Sequence, residues 1–151
     1  MKISACMKRN VISIPAHATL REAAARLVAH HIGMLPVVDE GMRPVGVVAL
    51  KDLLNLSLPD FVRLVEHLDF VHEFGAVESF IPDAATLARP VSQYMRQVTT
   101  VKEECGLLRA FAIMLKHDLH DLPVVDEQGR LTGIASRVDI GTAILATWQK
   151  G

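Results

Sequence analysis

Gly133, Ser136 and Asp139 stand three residues apart in "GIASRVD", and Gly46, Ala49 and Asp52 hold the same places in "GVVALKD". A carboxylate accepts two neighbouring hydroxyl donors, one on each oxygen, so Asp139 and Asp52 suit a pair of adjacent hydroxyls. A helix start offers free backbone N–H groups and the positive end of its dipole, which suit an anion, and Ser136 adds a hydroxyl there. Ser136 with Asp139 three residues on is equally a capping box, which requires no ligand. Arg137 and Lys51 fall in the first turn of their helices, where a cation opposes the dipole. A bound anion would reverse that penalty; side chains pointing into solvent would avoid it.

Other clusters carry less chemistry. "EHLDFVHE" gathers Glu66, His67, Asp69, His72 and Glu73, but His67 and His72 fall on different faces of a helix, so a solvated polar face is expected rather than a metal site. His30, His31 and His117 sit at helix ends, where capping is their ordinary role. Cys105 lies near a helix start, which would lower its pKa, while Glu103 and Glu104 push the other way. The methionines suit packing. The chain has no glycine-rich phosphate loop, no Gly-x-Ser-x-Gly elbow and no His-Glu-x-x-His run, so no enzyme is expected.

What positions these residues is a repeat. Val11 aligns with Val98, Leu20 with Leu107, His30 with His117, and Leu35–Glu40 with Leu122–Glu127 at one constant offset. Met7 and Met95 match after a slip of one residue. Each copy begins with a short apolar stretch, "NVISI" or "QVTTV". An amphipathic helix follows, carrying Leu20, Ala24, Leu27 and Val28, or Leu107, Leu108, Phe111, Met114 and Leu115. A hairpin and a second helix complete the unit. The order is β-α-β-β-α, and so small a unit buries too little surface alone. Two copies packed sheet to sheet share a core, which predicts an α+β fold with pseudo-twofold symmetry.

The repeats divide the chain into 1–57 and 90–151, with an insertion at 58–89. In the insertion, Phe61, Leu64, Val65, Leu68, Val71 and Phe74 recur at helical spacing, with Pro59 in the first turn and Gly75 as the stop. A second short helix is expected from Asp83 to Ala88, before Pro90.

Composition agrees with a folded protein: of 151 residues, 50% are hydrophobic and 22% charged. The net charge of −1 and the scattered lysines and arginines predict no nucleic-acid surface. Two cysteines make no disulfide framework, "MKISACMKRN" lacks a signal peptide's apolar core, and no stretch has the roughly 18 apolar residues of a membrane helix. A cytoplasmic chain without membrane insertion is expected.

The duplicated "LPVVDE…R…G", followed by a small polar residue and Asp, resembles the CBS domain, the repeat named after cystathionine beta-synthase. Two such repeats make the unit called a Bateman module, and the resemblance covers all but the insertion. It implies a stand-alone regulatory module that binds an adenine nucleotide (AMP, ADP, ATP or S-adenosylmethionine) in clefts between the repeats. It implies that the Gly-x-x-Ser-x-x-Asp stretch binds ribose and phosphate, and that two modules join as a homodimer. An effector protein would take the signal, and no cofactor would be required.

On that resemblance, one cleft is expected to hold Ser136, Asp139 and Arg137, with an adenine slot from Val98, Thr99, Thr100, Leu119, His120, Leu122 and Pro123. A second, weaker cleft would hold Asp52, Lys51, Val11, Leu35 and Pro36, because Ala49 replaces the hydroxyl. His120 stands where some relatives place a phosphate-contacting base, and Asp121 beside it would repel a phosphate, which favours a ligand of few charges. The alternatives are a ligand-independent assembly module and, further off, a small nucleotide-processing enzyme.

Overall fold

The computed structural model describes residues 1–57 and 81–150. The expected helix over 60–74 and the Glu66–Glu73 cluster lie outside the described residues. The first repeat contains β1 (Ile14–Pro15), α1 (Leu20–His30), β2 (Met34–Val38), β3 (Pro44–Ala49) and α2 (Leu50–Leu54). After a short helix α3 (Ala84–Leu87), the second repeat contains β4 (Val101–Lys102), α4 (Leu107–Lys116), β5 (Asp121–Val125), β6 (Leu131–Ser136) and α5 (Arg137–Thr147). This is the expected β-α-β-β-α order, twice. In each sheet the first strand runs parallel to the second, and the second pairs antiparallel with the third.

Local chemistry sets the ends of these elements. Thr19 and Glu22 form a reciprocal capping box at the start of α1, and His31 ends it in the left-handed conformation at φ 52°. Asp83 caps α3 by accepting the Thr86 N–H at 2.7 Å, which holds its carboxyl below the ordinary value. In the turns, Asp39 and Asp126 accept backbone N–H groups two and four residues ahead. Those bonds, with Arg130 close by, lower the pKa of Asp126.

The helix faces are narrower than the apolar pattern predicts. Leu20, Ala23 and Leu27 of α1 are buried, as are Leu107, Ala110 and Met114 of α4. Val28, Leu108 and Leu115 face solvent instead. On the strands, Leu35, Val37 and Val48 join the first core, and Leu122, Val124 and Ala135 the second. Their neighbours Pro36, Val38, Pro123 and Val125 are also buried, on the opposite face of each sheet.

The two halves exchange their leading segments. Ile3 and Met7 belong to the core of the second repeat, and Val91 and Met95 pack into the first. Lys8 and Ile134 trade two backbone hydrogen bonds at 2.8 and 2.9 Å, and Arg96 and Val47 do the same at 2.9 and 3.0 Å. Gly133 and Gly46 permit the crossing. A Cβ on Gly46 would lie 2.8 Å from Met95 Cγ, and one on Gly133 would lie 2.9 Å from Met7 Cγ. The ranges 1–57 and 90–151 therefore mark the sequence repeats, while each core borrows its first residues from the other range.

Candidate functional site

Ser136 ends β6 in extended conformation and caps α5. Its Oγ accepts the Asp139 N–H at 3.0 Å, and Asp139 Oδ2 accepts the Ser136 N–H at 2.9 Å. The capping role is thus real. It leaves the Ser136 hydroxyl hydrogen free to donate, and Asp139 Oδ1 without a hydrogen bond among the described residues. Lys8, brought over by the exchanged segment, holds Nζ 3.8 Å from Asp139 Oδ2.

The cleft beside Asp139 has a volume of about 280 Å³, near the small end of ligand pockets, about 300–1,000 Å³. Its walls include Lys8, Val11, Ile12, Ile32, Ser136 and Asp121. Asp121 is half-buried, and burial raises its pKa; Asp139 raises it further, while His120 and Lys8 oppose the shift. Cys6 is raised by burial and by Asp139.

In the first repeat the same plan is finished differently. Ala49 caps α2 with no side-chain acceptor, so half of the box is missing. Asp52 Oδ2 still accepts the Ala49 N–H at 2.8 Å, and Oδ1 accepts from Arg96 Nε at 2.8 Å. The adjoining cleft, about 430 Å³, is lined by Ala49, Lys51, Arg96, Leu119, His120 and Asp121, among others. Asp121, Gly33 and Met34 border both clefts.

Several predicted site residues belong elsewhere. Val11 lines the Asp139 cleft, not that of Asp52, and Leu119 and His120 line the cleft of Ala49 and Lys51, not that of Asp139. The exchange of segments accounts for Val11, three residues after Lys8. Leu35, Pro36, Leu122 and Pro123 are buried strand residues with no surface for a ligand. Val98 and Thr99 are half-buried and line neither cleft, and Thr100 borders a separate groove with Lys102 and Arg109. Arg137 neither awaits an anion nor points freely into solvent: its Nε donates to the Leu119 carbonyl, and its guanidinium pairs with Asp118 at 3.3 Å. Cys105 has its pKa raised by burial against the lowering effect of Arg109. Among the described residues no cluster of His, Cys, Asp or Glu could hold a metal.

Lys8 and Arg96 are the site residues that sequence reasoning missed. The signal was present: each follows the methionine, Met7 or Met95, that matches between repeats.

Comparison with known proteins agrees with this architecture. The CBS domain model matches residues 3–59 and 91–146. The chain therefore belongs to the CBS-domain family, as a pair of repeats. It is 27% identical over 145 residues to an uncharacterized 17.7 kDa protein of Acidianus ambivalens, covering 95% of this chain and 73% of that one. It is 32% identical over 140 residues to the chloroplastic CBS domain-containing protein CBSX1 of Arabidopsis thaliana, covering 88% of this chain and 58% of that protein. Among solved structures, CBSX2 from Arabidopsis thaliana superposes with a TM-score of 0.75 at 25% identity, over 98% of this chain and 96% of that one. A structure of CBSX2 in complex with AMP gives 0.71 at 26%, over 97% of each. Among the described residues no helix is long and apolar enough to cross a membrane.

Proposed function

We propose that this chain is a non-catalytic regulatory module that binds an adenine nucleotide in the Asp139 cleft and signals through a partner protein or an oligomer. The observation that carries this reading is Asp139. Its Oδ2 is fixed by the helix cap, while Oδ1 and the Ser136 hydroxyl remain for a sugar's adjacent hydroxyls. The apolar walls from Val11, Ile12 and Ile32 suit a base. The AMP complex of CBSX2 supports the ligand class. No cofactor is required for such a role, and the free thiols of Cys6 and Cys105 fit a cytoplasmic setting. Calorimetry with AMP, ADP, ATP and S-adenosylmethionine tests the reading. Saturable binding that Asp139→Asn weakens is expected, and indifference to all four ligands overturns it.

The exposed apolar residues favour a homodimer. Leu108 and Leu115 of α4, Val138 and Leu145 of α5, and Trp148 just beyond it all lie open to solvent. Light scattering should find a dimer at tens of micromolar, and a monomer there counts against it. A dimer that binds none of the nucleotides would leave assembly as the function.

A further inference from the structure

We infer that Arg96 is the residue that closes the first cleft, so that the chain takes one nucleoside ligand rather than two. The inference rests on the reading of the Asp139 cleft as a nucleoside site and adds what decides its number. Both oxygens of Asp52 are already committed, one to the Ala49 N–H and one to Arg96 Nε, each at 2.8 Å. The cap takes Oδ2 of Asp139 too, so the clefts differ at Oδ1, where a sugar's hydroxyls would find Asp139 bare among the described residues and Asp52 held by Arg96. At Asp52 they would have to displace a charge-assisted hydrogen bond from a carboxylate that is only 13% exposed.

Arg96 cannot withdraw by sliding its backbone. Two hydrogen bonds tie it to Val47, and the preceding Met95 is seated over Gly46. The pseudo-equivalent Lys8 is tied to Ile134 in the same way, yet it leaves Asp139 available. Its ammonium stands 3.8 Å off, toward the oxygen that the cap already uses, on a side chain 69% exposed. The difference follows from the side chains: a guanidinium presents a rigid fork to a carboxylate, and an ammonium is a point charge on a flexible stem. Arg96 also lines the first cleft, whose volume of about 430 Å³ stays open, so what it takes from a ligand is the Asp52 carboxylate and not the space.

Calorimetric titration of the full chain with adenosine and with AMP tests this. The wild-type chain should bind one molecule of either, and Asp139→Asn should weaken that binding tenfold or more. Arg96→Ala and Arg96→Lys should each bind two, the second within tenfold of the first in affinity. With Asp139→Asn added, only the new site should remain. Arg96→Ala strips a sheltered carboxylate of its partner; Arg96→Lys keeps the charge and decides the matter if the alanine variant does not fold.

Two molecules per wild-type chain, or one per folded Arg96 variant, overturn the inference. So does a count of two with AMP and one with adenosine, which would make Arg96 a phosphate ligand. If the wild-type chain binds neither and Arg96→Lys binds one, Arg96 is the gate and the Asp139 reading fails. If no chain binds either, both fall.

Discussion

Around Asp139, a serine and a carboxylate cap each other, and a lysine stands 3.8 Å away. Around Asp52, an alanine leaves half a cap, and an arginine closes to 2.8 Å. The helices that follow differ as well: α5 runs for 11 residues and α2 for 5 before a 3-10 turn. The two clefts differ at several aligned positions, and two of these touch the carboxylate: the hydroxyl of Ser136 against Ala49, and the basic side chain, Lys8 against Arg96. The hydroxyl acts on helix stability and hydrogen bonding. The basic side chain decides whether the carboxylate has an oxygen to spare. Of the two, the basic side chain should have more effect on the proposed binding, because it takes the acceptor itself.

The sharpest way to break this comparison is at the carboxylates. Asp139→Asn removes the charge proposed to accept the sugar, so nucleotide affinity should fall by about 1.5–3 kcal/mol. Asp52→Asn should leave affinity at the Asp139 cleft unchanged, since Asp52 is engaged by Arg96. Calorimetry that finds equal losses would remove the distinction between the clefts.

What the clefts share can be broken at the glycines. An alanine at Gly46 meets Met95 Cγ and Cβ, at 2.8 and 3.0 Å, and neither is the free end of the side chain. An alanine at Gly133 meets Met7 Cγ at 2.9 Å and the terminal Cε at 3.0 Å, so there one of the two atoms is the free end. Each substitution should cost about 1–3 kcal/mol in urea unfolding, the usual range for overpacking. A loss at one glycine only would mean that the two crossings are not equivalent.

The caps give a smaller effect. Ser136→Ala should cost about 1 kcal/mol of stability, and Ala49→Ser should gain about as much by completing the box with Asp52. Ala49→Ser should leave nucleotide stoichiometry at one, because Arg96 still holds Asp52. Thermal melts and titrations on the same samples separate the two effects. A second bound nucleotide in Ala49→Ser would mean that the hydroxyl, not Arg96, had closed the cleft.

These predictions draw unequally on sequence and structure. The repeat, the hairpins and the helix pair were legible because apolar spacing and the turns around Asp39 and Asp126 recur in both copies. The exchange of leading segments was not. It rests on isolated bridges, among them those at Lys8 and Arg96, too short to carry a period. Missing it sent Val11 to the wrong cleft, while Leu119 and His120, outside the exchanged segments, line the cleft of Ala49 and Lys51 for a reason the repeat pattern does not carry. Leu35, Pro36, Leu122 and Pro123 were misread because strands buried on both faces look the same as strands lining a pocket. The pairing of Arg137 with the 118–119 loop spans 18 and 19 residues and leaves no local pattern.

The smallest effect lies at the wall between the clefts, where Asp121 borders both. It faces Asp139, Lys8 and His120, and burial raises its pKa. The folded chain therefore holds this proton more tightly than the unfolded chain. Between the unfolded value and the raised folded value, stability falls as pH rises; below that window the Asp121 contribution is fully present, and above it the contribution is lost. Asp121→Asn removes the dependence, so the variant should match the wild type in acid and exceed it at neutral pH. Other titrating groups contribute to both chains, and the difference between the two isolates Asp121. The same charge should act on ligands. AMP carries a phosphate that Asp121 repels and adenosine carries none, so the variant should improve AMP binding more than adenosine binding at neutral pH. Urea unfolding across the acid range and paired titrations measure both quantities. A stability gain that is the same at every pH, or equal improvement for both ligands, would mean that Asp121 acts through packing rather than charge.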